Sequence, residues 1–198
     1  NRRQGVPCGV ATAAKPGHQA DVHARGRGDI DCRIGSGAAC QRVATAKAGS
    51  GRVDVLYTAG PNHKLNGPND LVFDAHGGFY FTDLGKVRDR DQDRGCVYYA
   101  KTDGSLIKEV AFPLMTPNGC ALSPDGRVLY VAETWTGRVW GYDIISPGEV
   151  AKASWPSPSG GRLLAGVGGF NLFDSMAVDG AGNVCVATLF NPGITVIS

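Results

Sequence analysis

The sequence predicts an all-β protein, a β-propeller, with about three blades of an incomplete ring spelled out. Three observations predict it. First, one text recurs three times, as PNDLVFDAHGGFYFTD (68–83), PNGCALSPDGRVLYVAET (117–134) and FDSMAVDGAGNVCVATL (173–189). Second, each copy is a short apolar run, a polar turn with a glycine, and a second apolar run, which reads as strand, tight turn, strand. Third, the runs are too short for helices, and no stretch of the chain offers a period of 3.6.

The elements follow in order. GRVDVLYTA (51–59) reads as the outer strand of a blade whose earlier strands are hidden in unusual text. The first copy supplies two strands, and GCVYYA (95–100) and LIKEVAF (106–112), separated by KTDGS, supply two more. The second copy is followed by GRVWGYDI (137–144) and, past a Pro/Ser/Gly-rich loop, by GRLLAGV (161–167). The third is followed by GITVIS (193–198). Four short antiparallel strands in 40–55 residues is the pattern of a propeller blade. A ring needs at least about four blades to close, so the chain reads as a fragment, prone to self-association through open blade faces.

Residues 1–50 contain no Leu, Phe, Tyr, Trp, Met or Glu, and carry eight Lys or Arg against three Asp. Such text buries too little apolar surface to offset the entropy of ordering it. Residues 1–40 are therefore expected to be irregular or disordered, or a misread segment such as a shifted frame of GC-rich DNA yields; residues 41–198 form the partial propeller. The arm lacks the interleaved aromatics of a nucleic-acid binder, and the net charge of +2 points to neither nucleic acid nor membrane. His18 and His23 lack a cysteine pair and read as solvated. No apolar run approaches a membrane span and no signal-peptide core is visible. The six cysteines show no C-x-x-C spacing. Cys96, Cys120 and Cys185 lie in apolar runs and read as buried free thiols, and the expected location is cytoplasmic.

Asn69, Asn118 and Asp174 each stand eight residues before a turn glycine, Gly77, Gly126 and Gly182. The first strand of a blade is innermost, so matching positions converge at one end of the axial channel. Two amide oxygens and one carboxylate would meet there, a set suited to a hard divalent cation such as Ca²⁺ or Mg²⁺. The bland reading of each residue alone is a turn former bonding its own backbone. Asp83 and Glu133 end second strands and read as exposed caps, or as supports for the channel mouth. Trp135, Trp140 and Trp155 read as packing, with substrate stacking by Trp135 as the alternative. His63 and His76 read as solvated turn residues. KVRDRDQDR (86–94) reads as a solvated insertion, with a lid as the alternative.

LNGPNDLVFDAHGGFYFTD, TPNGCALSPDGRVLYVAET and FDSMAVDGAGNVCVATL closely resemble the gluconolactonase / SMP-30 / luciferin-regenerating-enzyme family. The likeness covers residues 51–198. It implies a six-bladed propeller with one divalent metal at the channel mouth, and hydrolysis of a sugar lactone or related ester. Carried over by motif, Asn118 and Asp174 are metal ligands, Asp174 is also the base, and Asn69 lies beside the metal and orients substrate or water. Ca²⁺ is the first choice of cation, with Zn²⁺, Mn²⁺ and Mg²⁺ as alternatives. The family's remaining ligand is a Glu in an E-G-P type motif, and the first Glu here is Glu109. Weak metal binding and low activity are therefore expected. An arginine that some sugar-lactone members place two residues before the PND-type Asn is Gly67 here, which argues against a sugar-acid substrate. The competing readings are a non-catalytic NHL-like propeller that binds a peptide or protein, and a strictosidine-synthase-like enzyme.

Overall fold

The structure, a computed structural model, describes residues 22–25, 30–34, 43–47 and 53–198. Four antiparallel sheets follow one another along the chain. The first holds β1 (Val22–Arg25), β2 (Ile30–Ile34), β3 (Val43–Lys47) and β4 (Val53–Tyr57), in that order. The second holds β5 (Pro68–Phe73), β6 (Gly78–Asp83), β7 (Gly95–Lys101) and β8 (Ile107–Leu114). The third holds β9 (Pro117–Leu122), β10 (Val128–Glu133) and β11 (Arg138–Ser146), with its outer edge shared between β12 (Glu149–Val150) and β13 (Arg162–Gly166). The last holds β14 (Leu172–Val178), β15 (Val184–Leu189) and β16 (Gly193–Ile197). The first strands of successive sheets, β1, β5, β9 and β14, touch in succession and are therefore the inner strands.

Apolar layers between the sheets hold this arrangement. Strand side chains alternate, so a sheet flanked on both sides buries both faces. Phe79, Phe81 and Tyr98 face the first sheet and meet Val43, Tyr57 and Leu65. Tyr80 and Tyr99, their neighbours in sequence, face the third sheet and meet Leu129, Val131, Trp140 and Tyr142. Ala132 and Val139 then face the last sheet and meet Phe173, Val184 and Val186. Each fully buried large side chain stabilises by roughly 1.5–3 kcal/mol. Among the described residues the outward side of the last sheet has no such cover: Ile194 and Val196 are 63% and 58% exposed.

The three repeated turns are alike in detail. Gly77, Gly126 and Gly182 adopt positive φ angles of 78°, 71° and 92°, where a Cβ would be strained. The first polar residue of each turn bonds backbone beyond it. Asp74 Oδ1 accepts from the N–H groups of His76 and Gly78, Ser123 Oγ from Arg127 and Val128, and Asp179 Oδ1 from Ala181 and Asn183. Short polar side chains are favoured in turns for this reason.

Strands β1 and β2 fall within residues 1–40, where composition predicts irregular chain. A ladder is made by backbone groups and needs no leucine, and β1, β2 and β3 pair antiparallel in register. The large side chains of the shared layer come from the second sheet, which relieves the first of supplying them. The Tyr57 hydroxyl donates to the Lys101 carbonyl at 2.7 Å and fastens the two sheets. Residues 1–21, 26–29 and 35–40, with the rest of that expectation, lie outside the described residues. Among the described residues, no helix is long and apolar enough to cross a membrane.

Candidate functional site

Asn69, Asn118 and Asp174 stand near the start of β5, β9 and β14, at the same end of three adjacent inner strands. They share a further feature. Pro68 pairs with Asp83 and Leu71 with Phe81, so Asn69 and Asp70 together face Thr82 alone. Pro117 pairs with Glu133 and Cys120 with Val131, so Asn118 and Gly119 face Ala132 alone. Phe173 pairs with Thr188 and Met176 with Val186, so Asp174 and Ser175 face Ala187 alone. Each of the three residues thus opens a β-bulge. A bulge bends its strand and re-aims a side chain away from the regular ladder.

Close contacts bring the inner strands together at the bulges. A Cβ built on Gly119 would lie 2.7 Å from both the Asp174 carbonyl oxygen and the Met176 nitrogen. Only a glycine lets β9 approach the β14 backbone so closely. Between β5 and β9, Asp70 Oδ2 accepts from the Cys120 N–H at 3.0 Å, while Oδ1 accepts from the Leu71 N–H at 2.9 Å. Thr82 Oγ1 accepts from the Asp70 N–H at 3.0 Å and donates to the Asn118 carbonyl at 2.6 Å.

Asp70 was not singled out in the sequence, because it adjoins Asn69 in PND and looks like part of the same turn. It is buried, and desolvation pushes its carboxyl up to about 7, against the two N–H groups that favour the charged form; the Asp174 carboxylate adds to the rise. The alternation of strand side chains was the available signal, since it sends Asp70 inward between sheets.

Asp83 and Glu133 cap backbone as expected, but they are buried, not exposed. Asp83 accepts from the Asn66 N–H at 2.8 Å, just before β5. Burial pushes its carboxyl up to about 6. Glu133 accepts from the Met115 N–H at 2.7 Å, just before β9, and from the Thr136 hydroxyl at 2.6 Å. Each carboxylate therefore fixes the chain that leads into a bulge. Thr116, between Met115 and Pro117, adopts a φ of 48°, a left-handed conformation unusual for threonine. Trp135 is exposed and Trp140 is packed in the core. Cys96 and Cys120 are buried free thiols, and Cys185 is half-buried.

Among the described residues, no group of three or more His, Cys, Asp or Glu side chains could hold a metal ion. The bulge set carries one carboxylate and two amides, so its fit to a cation is judged on Asn118. That side chain is only 4% exposed. Its Nδ2 donates to Thr134 Oγ1 at 3.2 Å, whereas its buried Oδ1 has no partner among the described residues. A buried acceptor left unpaired costs about 1–3 kcal/mol, and a hard cation would satisfy it. On this ground the Asn118 oxygen fits a divalent cation.

Comparison with known proteins follows the same division. Lactonase drp35 of Staphylococcus haemolyticus is 33% identical over 119 residues, 60% of this chain and 34% of that protein. A gluconolactonase structure from Xanthomonas campestris superposes with a TM-score of 0.66 at 25% identity, covering 84% of this chain and 54% of that one. A calcium-binding regucalcin from Agrobacterium tumefaciens superposes with a TM-score of 0.65 at 15% identity, covering 84% and 52%, a likeness of fold alone. This chain therefore spans about a third of the lactonase's length and about half of each structure's. The sequence profile of the SMP-30/Gluconolactonase/LRE-like region matches residues 31–198, which takes in three of the four strands of the first sheet and all of the others. Repeat text, sheet order and profile agree, and the chain belongs to the SMP-30/gluconolactonase/LRE-like family.

Proposed function

We propose that this chain is part of a metal-dependent hydrolase of a lactone or related ester, and that its four sheets belong to a six-bladed ring. The observation that carries the reading is the unpartnered Asn118 Oδ1, buried at the head of a bulge that recurs at Asn69 and Asp174. Asn118 and Asp174 would hold the cation, Ca²⁺ by preference for an all-oxygen set, with Mg²⁺, Mn²⁺ or Zn²⁺ as alternatives. When bound, the cation supplies positive charge that polarises a lactone carbonyl. Asp174 accepts the proton of the attacking water, and Asn69 holds the ring or the water by hydrogen bonds. Asp70 and Thr82 keep β5 against β9, so that the side chains beside them stay in place. With one carboxylate among the three, the set holds its cation weakly. The uncovered face of the last sheet makes pairing of two copies part of the same reading.

The test is hydrolysis of simple lactones by the protein in millimolar Ca²⁺. Activity is expected to vanish on chelation, return with added cation, and be lost in Asp174→Ala. Activity indifferent to both chelator and Asp174→Ala would overturn the reading. A peptide or protein bound on this face with no hydrolysis at all would favour the NHL-like alternative.

A further inference from the structure

The second sheet carries another bulge, on its outer strand. Val97 pairs with Ala111 and Tyr98 with Glu109, so Val110 is a surplus residue in β8. Val110 and Ala111, successive in sequence, both enter the apolar layer toward the third sheet. In a regular strand, residues three apart point to opposite faces. Here the surplus residue turns Glu109 and Phe112 to the same side, and both line one cleft of about 490 Å³. That volume suits a small molecule. The lining includes none of Asn69, Asn118 or Asp174.

The charges around this cleft are unevenly matched. Three carboxylates line it: Asp83, Asp93 and Glu109. Both oxygens of Asp83 accept from the Asn66 N–H, at 3.0 and 2.8 Å. Asp93 is paired with Arg88 at 2.6 Å. Glu109 is half-buried, and among the described residues no cation pairs with it. Lys64 and Arg94 line the same cleft, and neither forms an ion pair with a carboxylate there. One guanidinium nitrogen of Arg94 rests on the Met115 thioether, a weak acceptor, which leaves the others open. Phe112 is 46% exposed, so its ring is open to a ligand in the cleft.

A simple cation would be drawn to Glu109 and repelled by Lys64 and Arg94. A simple anion would meet the reverse. A molecule that carries both charges satisfies all three groups. We propose that this cleft binds a small zwitterion with an apolar part, of which an aromatic α-amino acid is the simplest kind. Glu109 takes the ammonium group, Lys64 and Arg94 take the carboxylate, and the apolar part lies on the Phe112 ring. The site needs neither the lactone nor the cation of the proposed function.

The probes are phenylalanine, its methyl ester, which keeps only the positive charge, and its N-acetyl form, which keeps only the negative one. Binding to the intact protein is measured by calorimetry. Phenylalanine should bind about ten-fold more tightly than either relative. Glu109→Gln should bring phenylalanine down to the level of the N-acetyl form and leave that form no weaker. The double variant Lys64→Gln, Arg94→Gln should bring it down to the level of the methyl ester. Absence of saturable phenylalanine binding, or equal binding of the three probes by the wild type, would overturn the inference. So would a preference for phenylalanine that survives both sets of substitutions. Should Glu109→Gln lower the melting temperature, the three probes on the wild type and on the double variant decide the matter.

Discussion

Asp70 on β5 and Cys120 on β9 are joined by a hydrogen bond from the Cys120 N–H to the Asp70 carboxylate, at 3.0 Å, across the boundary between two sheets. Most of the contact between these two sheets is side-chain packing. Here a backbone group of one inner strand is paired with a side chain of the next, one residue past each bulge opener on β5 and two past it on β9. The relationship fixes the offset between the strands that carry Asn69 and Asn118.

Thr82 is the other half of that joint. In Thr82→Val the shape is kept, but the Asn118 carbonyl and the Asp70 N–H lose their partner inside the protein. Destabilisation of about 1–3 kcal/mol is expected in urea unfolding. An unchanged midpoint would show that the joint contributes nothing.

Gly119→Ala tests the approach of β9 to β14. The added methyl meets backbone, not a flexible side chain, so a strand must move. A cost of about 2 kcal/mol and a fall in cation affinity are expected together. A stable variant with normal Ca²⁺ titration would mean that the two strands tolerate separation.

Asn118→Leu separates stability from binding. Leucine fills a similar space without an orphaned oxygen, so the cation-free protein should gain about 1 kcal/mol. Wild type should rise in melting temperature with Ca²⁺, because a ligand of the folded state stabilises it. The variant should not respond. A Ca²⁺-dependent rise that persists in Asn118→Leu would remove this residue from the ligand set.

Asp83 predicts a pH effect of unusual sign. Its folded-state value, about 6, lies above that of an unfolded aspartate, about 3.9. Between these values the folded form holds more protons than the unfolded one, so this group's contribution falls as pH rises from about 4 to 6 and is level above. The difference in melting temperature between pH 4.5 and pH 6.5 should therefore change in Asp83→Asn by the share that Asp83 supplies. An identical difference in both proteins would place the ionised carboxylate in the folded state throughout.

Much of this was legible in the sequence. The turn glycines, the strand pairs around them and the matching positions of Asn69, Asn118 and Asp174 all follow from the repeat. The bulges do not. An extra residue present in every copy leaves the copies aligned without a gap, so comparison among them is blind to it. Glu133 and Asp83 look like surface caps because their partners, Met115 and Asn66, are set by how the chain returns to the next inner strand. The first sheet was obscured for a different reason: its part of the apolar layer is filled by Phe79, Phe81 and Tyr98, which belong to another segment.

The repeated bulges have one more consequence. Each surplus residue is absorbed within a single ladder step, and pairing resumes at Leu71–Phe81, Cys120–Val131 and Met176–Val186. The residues at the bulge openings are therefore set apart from the ladder steps that stack the sheets. The proposed site can accordingly vary in sequence without a change in how the sheets pack.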